Sequence, residues 1–126
     1  MYTRKFEIIP QPMDGNCFYH SVCYLLKYHN INEITHEELR NKVVTYLNRK
    51  QKSVQQIKRI KTLSEWAQDE DVLSTARALK VCIVVWEGVN KMWVTFGDSK
   101  KKRIHIINRN NTHFDAIIPL NKSSSV

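Results

Sequence analysis

Val81-Cys82-Ile83-Val84-Val85-Trp86 is the stretch on which the fold turns. It is a continuous apolar run rich in β-branched residues, with no polar position at strand or helix spacing, so it reads as a central strand buried on both faces. Downstream, Met92–Phe96, 104–107 and 114–118 read as further strands. Turn chemistry at Gly88-Val89-Asn90, Gly97-Asp98 and 108–112 separates them.

Upstream the period changes to that of helices. A helix over Cys17–Tyr28 turns Phe18, Val22, Leu25 and Leu26 inward. Thr35-His36-Glu37-Glu38 matches a capping box and starts a second helix with Leu39, Val43 and Leu47 as its stripe. Ser53 caps a third, strongly basic helix carrying Val54, Ile57 and Ile60. Asp69-Glu70-Asp71 places acids in the first turn of a fourth, with Val72, Ala76 and Leu79 inward. Phe6–Ile9 is a short extended lead-in stopped by Pro10 and Pro12. Helices followed by strands imply an α+β domain, its N-terminal helices packed on a small C-terminal β-sheet. Residues 1–121 are expected to form that one domain, and 122–126 a disordered tail.

Composition agrees with one folded domain: 126 residues, 42% hydrophobic and 10% aromatic. No apolar run approaches membrane-helix length, and Met1-Tyr2-Thr3-Arg4-Lys5 lacks the apolar core of a signal peptide. A cytoplasmic protein without membrane contact is expected. Cys17, Cys23 and Cys82 form no Cys-x-x-Cys and have no histidine at zinc-ligand spacing, so neither a metal nor another cofactor is expected. In a reducing compartment the sequons Asn110-Asn111-Thr112 and Asn121-Lys122-Ser123 go unused. The net charge of +8 gathers at Arg49, Lys50, Lys52, Lys58, Arg59 and Lys61, with no acid nearby in sequence, and again at 100–103. Nucleic acid is the minor reading of this patch and solvated helix faces the main one, because no aromatic alternates with the cations as a base-stacking platform.

Chemistry concentrates at the two ends. Asp14-Gly15-Asn16-Cys17 sets a cysteine after a tight loop, at the start of the first helix. A helix N-terminus favours the thiolate. His113-Phe114-Asp115, at the start of the last strand, supplies a base and a carboxylate to orient it. Nucleophile, base and orienter are the three roles of covalent acyl transfer. Asp14 belongs with this set as the carboxylate that fixes the loop through backbone N–H groups, not as a second base. Gly15 allows a conformation or close approach that a Cβ would hinder, and the amides around Gly15, Asn16 and Cys17 can face a developing oxyanion. His20, three residues after Cys17, is the local competitor as base but has no neighbouring acid. Cys23 and Cys82 sit in apolar patterns and read as core, and His29, His36 and His105 show no metal-like pairing. Trp66, Trp86 and Trp93 read as core more than as ligand platforms, Trp93 least so.

Asp14-Gly15-Asn16-Cys17-Phe18-Tyr19, the block 66–85 and His113-Phe114-Asp115 together resemble the ovarian-tumour (OTU) family of cysteine proteases, which remove ubiquitin from lysine side chains. The chain is short for the family and closest in size to its compact viral members. It carries Ala67 where the family often has Gly, and His20 where Arg is frequent. The resemblance implies a papain-type fold and a cysteine isopeptidase acting on ubiquitin or a ubiquitin-like protein. It makes Cys17 the nucleophile, His113 the base and Asp115 the orienter. The rivals are a ubiquitin-binding module without turnover and a protease processing a viral polyprotein, in which case the compartment is the host cytoplasm. A monomer is expected. Ubiquitin's tail is basic, so acids should gather near the cleft of a basic enzyme. Asp69, Glu70 and Asp71 are the candidates to pair with that tail, with Trp93 and Phe114 walling its groove.

Overall fold

The computed structural model describes residues 6–51, 53–110 and 113–120. Lys52 of the basic run, Asn111 and Thr112 of the first sequon, the second sequon, the 122–126 tail and residues 1–5 lie outside the described residues. In chain order the elements are β1 (Phe6–Ile9), α1 (Cys17–Tyr28), α2 (His36–Arg49), α3 (Val54–Lys61), α4 (Asp69–Leu79), β2 (Cys82–Glu87), β3 (Met92–Phe96), β4 (Arg103–Arg109) and β5 (His113–Pro119).

Helix starts follow the capping chemistry. Thr35 Oγ1 accepts from the Glu38 amide at 3.1 Å, and Glu38 Oε1 accepts from the Thr35 amide at 2.8 Å. That reciprocal box satisfies two otherwise orphaned donors. Ser53 Oγ accepts from the Gln56 amide at 3.4 Å. Asp71 Oδ2 accepts from the Gln68 amide at 2.9 Å and closes the first turn of α4, which ends at Lys80 in a left-handed conformation (φ 58°).

The five strands run in the order β1-β5-β4-β2-β3. Only β2 and β4 pair in parallel, so the sheet is mixed. Strand alternation gives it two unlike faces. Ile83, Val85, Ile104, Ile106, Ala116 and Ile118 join Phe18, Val22, Leu25, Leu26 and Leu39 in one buried core beneath the helices. The other face exposes a shallow groove of about 410 Å³ lined by Phe6, Ile8, Trp86, Trp93, Ile107 and Ile117.

Two expectations change. The lead-in Phe6–Ile9 is a sheet strand, pairing Ile8 with Ile117 of β5 across the whole chain length. Trp66 and Trp93 are not core: they are 41% and 43% exposed. Trp93 is on β3, an edge strand, so the sheet covers its ring from one side only.

Candidate active site

Cys17 is the first residue of α1, and the loop before it is built by short-range bonds. The Asp14 carboxylate accepts from the Asn16 amide at 2.8 Å, and the Asp14 carbonyl accepts from the Cys17 amide at 3.1 Å. Gly15 is required sterically, since a Cβ there would fall 1.6 Å from the Ser64 carbonyl oxygen. Asn16 and Cys17 are not oxyanion donors through their own amides, both of which Asp14 occupies. The Asn16 side chain acts as a strut, with Oδ1 accepting from the Ser64 amide and from Arg40, each at 2.8 Å. The Gly15 amide makes no hydrogen bond among the described residues.

β5 brings its first residues against that loop. The Phe114 amide donates to Cys17 Sγ at 3.3 Å, and Ser21 Oγ ties the Cys17 carbonyl (2.8 Å) to the Phe114 carbonyl (3.3 Å). His113 Nε2 lies 2.8 Å from Asp115 Oδ1. Asp115 Oδ1 also accepts from the Gln11 amide at 2.8 Å, and Oδ2 from Arg109 Nε at 3.1 Å. A carboxylate in that position accepts from the imidazole too, so the ring proton sits on Nε2 and Nδ1 carries the lone pair. Nδ1 is buried and finds no hydrogen-bond partner among the described residues. A base nitrogen is thus held dry and unengaged on the residue preceding the amide that touches the cysteine sulfur.

Burial pushes the Cys17 thiol above its ordinary range, and the Phe114 and Phe18 amides, which favour the thiolate, do not offset it. Asp14 and Asp115 act in the same upward direction as burial. Burial thus opposes the helix N-terminus at this thiol, and the unengaged imidazole nitrogen on β5 is a group able to take its proton. His20 faces elsewhere: its ring packs on His36 at 4.4 Å, and desolvation, then His36, lowers its pKa. Gln11 and Arg109, the further donors on Asp115, were not anticipated. Arg109 sits opposite His113 in the β4–β5 register, a pairing visible only once the hairpin is drawn.

The residues expected to meet substrate scatter. Asp71 is fully buried, where Arg59 Nε and Nη2 bind its two oxygens at 2.8 and 2.7 Å and Gln56 Nε2 adds a bond at 3.3 Å. It holds α3 to α4 and is not available to a basic tail. Glu70 is exposed but also pairs with Arg59, and Asp69 is exposed beside it. The Phe114 ring is not a groove wall: it is 4% exposed and packs edge-on against Phe18 in the core at 5.3 Å, leaving only its backbone at the site. Trp93 shares a cross-sheet row with Asp115, Ile107 and Trp86. At about 4.8 Å per strand it is about 14 Å from Asp115, so it flanks the exposed face and does not wall a cleft at Cys17.

Arg59's pairing also breaks up the basic run, which the sequence had presented as acid-free. The cations that do converge are Lys42, Arg49, Lys50, Arg77 and Lys80, around a groove between α2 and α4. Among the described residues no cluster of three or more His, Cys, Asp or Glu side chains is arranged to hold a metal ion.

The comparisons with known proteins follow this geometry. The family model described as OTU-like cysteine protease matches residues 12–116, from just ahead of the loop to just past Asp115. The chain is 27% identical over 131 residues to the RNA-directed RNA polymerase L of Crimean-Congo hemorrhagic fever virus (strain Nigeria/IbAr10200/1970). That match covers 89% of this chain but only 3% of the far longer viral protein. Among solved structures, the Hazara virus OTU bound to ubiquitin superposes with a TM-score of 0.67 at 28% identity, covering 93% of this chain and 83% of that one. An OTU deubiquitinase from Wolbachia pipientis wMel reaches a TM-score of 0.76 at 21% identity, over 98% and 94% of the two chains. The family model spans well over half of the chain, and with four helices on a five-stranded mixed sheet among the described residues the chain belongs to the OTU-like cysteine proteases.

Proposed function

We propose that this chain is a cysteine isopeptidase that removes ubiquitin, or a ubiquitin-like protein, from substrate lysines through an acyl-enzyme on Cys17. The observation that carries the reading is the orientation of His113: Nε2 is bound to Asp115, and a buried Nδ1 has no partner among the described residues, one residue before the Phe114 amide that meets Cys17 Sγ. Nδ1 takes the thiol proton as the sulfur attacks the carbonyl carbon of the C-terminal glycine. The carbonyl π-electrons move to oxygen, where the Gly15 amide, unengaged among the described residues, is the nearby donor. A preorganised donor of this kind contributes about 3 kcal/mol. Collapse breaks the C–N bond, and the imidazolium returns its proton to the leaving lysine amine. Water, deprotonated by the same Nδ1, then attacks the thioester and releases the glycine carboxylate and the thiol. Asp115 holds the tautomer throughout, and Asp14 holds the loop.

The ubiquitin-bound Hazara virus OTU supports ubiquitin as the acyl group. Asp69 and Glu70, both exposed, remain the acids for its basic tail, and Trp93 is assigned to the body of the substrate. The domain acts as a monomer in the cytoplasm, that of the host if the source is viral. Among the described residues no helix is long and apolar enough to cross a membrane.

A ubiquitin probe bearing a C-terminal electrophile tests the reading. The expected result is one covalent adduct, mapping to Cys17 and absent in Cys17→Ala and His113→Ala. Saturable ubiquitin binding with no adduct would make the chain a binding module. Loss of labelling in Cys23→Ala or Cys82→Ala instead would move the nucleophile. Inert ubiquitin alongside cleavage of a viral polyprotein junction would leave the chemistry and change the substrate.

A further inference from the structure

Arg40 lies on α2 at 1% exposure, the largest fully buried side chain among the described residues. Its guanidinium makes no ion pair there. Instead Nη1 donates to the Ile60 carbonyl at 2.9 Å, and Nη2 to Asn16 Oδ1 at 2.8 Å, the Glu65 carbonyl at 3.1 Å and the Gly15 carbonyl at 3.4 Å. The Tyr19 ring covers it, 4.0 Å from the guanidinium carbon to the ring centroid. Burying a cation without a carboxylate partner is costly, and an apolar side chain of similar volume often serves stability as well or better. Desolvation accordingly lowers the Arg40 pKa. What an apolar residue cannot do is bind several acceptors on different chain segments from one planar fork.

Those segments point to a task. Two of the four acceptors belong to Gly15 and Asn16, the residues immediately before Cys17. Glu65 belongs to the α3–α4 connection, and its neighbour Ser64 donates to the same Asn16 oxygen that Arg40 holds. The Ser64 carbonyl closes the space over Gly15 so tightly that a Cβ has no room. The loop is thus clamped between the connection on one side and Arg40 on the other.

We infer that Arg40 is a positioning residue for the nucleophile loop, fixing the Gly15–Asn16 backbone so that the Gly15 amide faces the developing oxyanion. The inference rests on the proposed acyl transfer at Cys17. Misplacing such donors by about 1 Å costs roughly 100-fold in rate, without altering how the rest of the substrate binds.

The test compares Arg40→Met, which keeps length and loses the fork, with Asn16→Ala, which removes the shared oxygen and leaves the core apolar packing alone. Three measurements are made: kcat and KM on a fluorogenic ubiquitin C-terminal amide, the rate of Cys17 alkylation by iodoacetamide, and amide hydrogen exchange. In both variants kcat should fall about 100-fold with KM within threefold, while alkylation, which needs no oxyanion donors, stays within threefold of wild type. Exchange should quicken at 14–17 and 62–66 and nowhere else. An unchanged kcat with unchanged exchange overturns the inference, as does exchange that quickens over the whole domain in both variants. Wild-type protein that neither cleaves the amide nor labels with the probe sinks the isopeptidase reading instead, and the exchange pattern still decides whether Arg40 holds the loop.

Discussion

Asp71 and Asp115 are the two carboxylates buried among the described residues, at 0% and 3% exposure, and both gather donors from several chain segments. Asp71 takes its bonds from the Arg59 guanidinium, the Gln56 amide group and the Gln68 backbone. Each of those partners has a fixed protonation state, so the cluster has one arrangement and pins α3 to the start of α4. Asp115 takes bonds from the Gln11 backbone and the half-exposed Arg109, but its third partner is an imidazole whose other nitrogen is left unengaged. The same side chain in similar burial is a tie in one place and a handle on a movable proton in the other. The partner's chemistry makes the difference, not the acid's.

Asparagine at each position separates the two uses. Asp115→Asn keeps the shape and weakens control of the His113 tautomer, so kcat/KM should fall by about 10³–10⁴, with melting moved far less than in the Asp71 variant. Equal losses of turnover and melting would erase the distinction. Asp71→Asn removes one of the two carboxylates paired with the half-buried Arg59, which keeps Glu70, and should cost about 1–3 kcal/mol in denaturant unfolding. The surviving folded fraction should turn over at the wild-type rate. A specific loss of kcat there would return Asp71 to the site.

Phe114 sharpens the contrast, because it stands between His113 and Asp115 yet faces the core. Phe114→Leu should cost about 1–2 kcal/mol of stability, with kcat/KM within twofold, since its amide still reaches Cys17. The smallest effect belongs to His20. Its folded pKa lies below the ordinary 6.5, so the stability it contributes is present above that pH and lost as pH falls through the folded value. His20→Gln should flatten the acid side of the melting-temperature profile below pH 6.5 and leave turnover alone. A dead His20→Gln would mean that His113 is not the base.

Much of this was written locally in the chain. The Thr35 capping box, the Ser53 cap and the change to β-branched runs after Leu79 are near-neighbour signals, and the elements begin where those signals stand. The start of α1 at Cys17 and the pairing of His113 with Asp115 were legible for the same reason. What escaped was set by distant partners. In sequence Asp71 is one of three acids in a first turn, and only the approach of Arg59 from α3 makes it a tie. Arg40 was not singled out, although His36, Arg40, Val43 and Leu47 fall at helical spacing and could have placed it on the inward face. Phe114 and Trp93 were misplaced because strand alternation, not motif membership, decides which way a ring points. The upward push of burial on the Cys17 thiol went unforeseen since desolvation depends on the packing around Cys17, which no helix-start pattern encodes.

The pairing of Phe6 with Pro119 has a consequence for how such a domain travels. Antiparallel partners lie about 5 Å apart, so any polypeptide leading into β1 and any leaving β5 attach at neighbouring points on one edge of the sheet. A unit with that geometry fits into a surface loop of a host protein like a bead tied on by a single knot, without spreading the host's own chain. Its β1–β5 seam then closes the insertion, and the catalytic residues, at the His113 end of β5, lie about 20 Å along the strand from the knot.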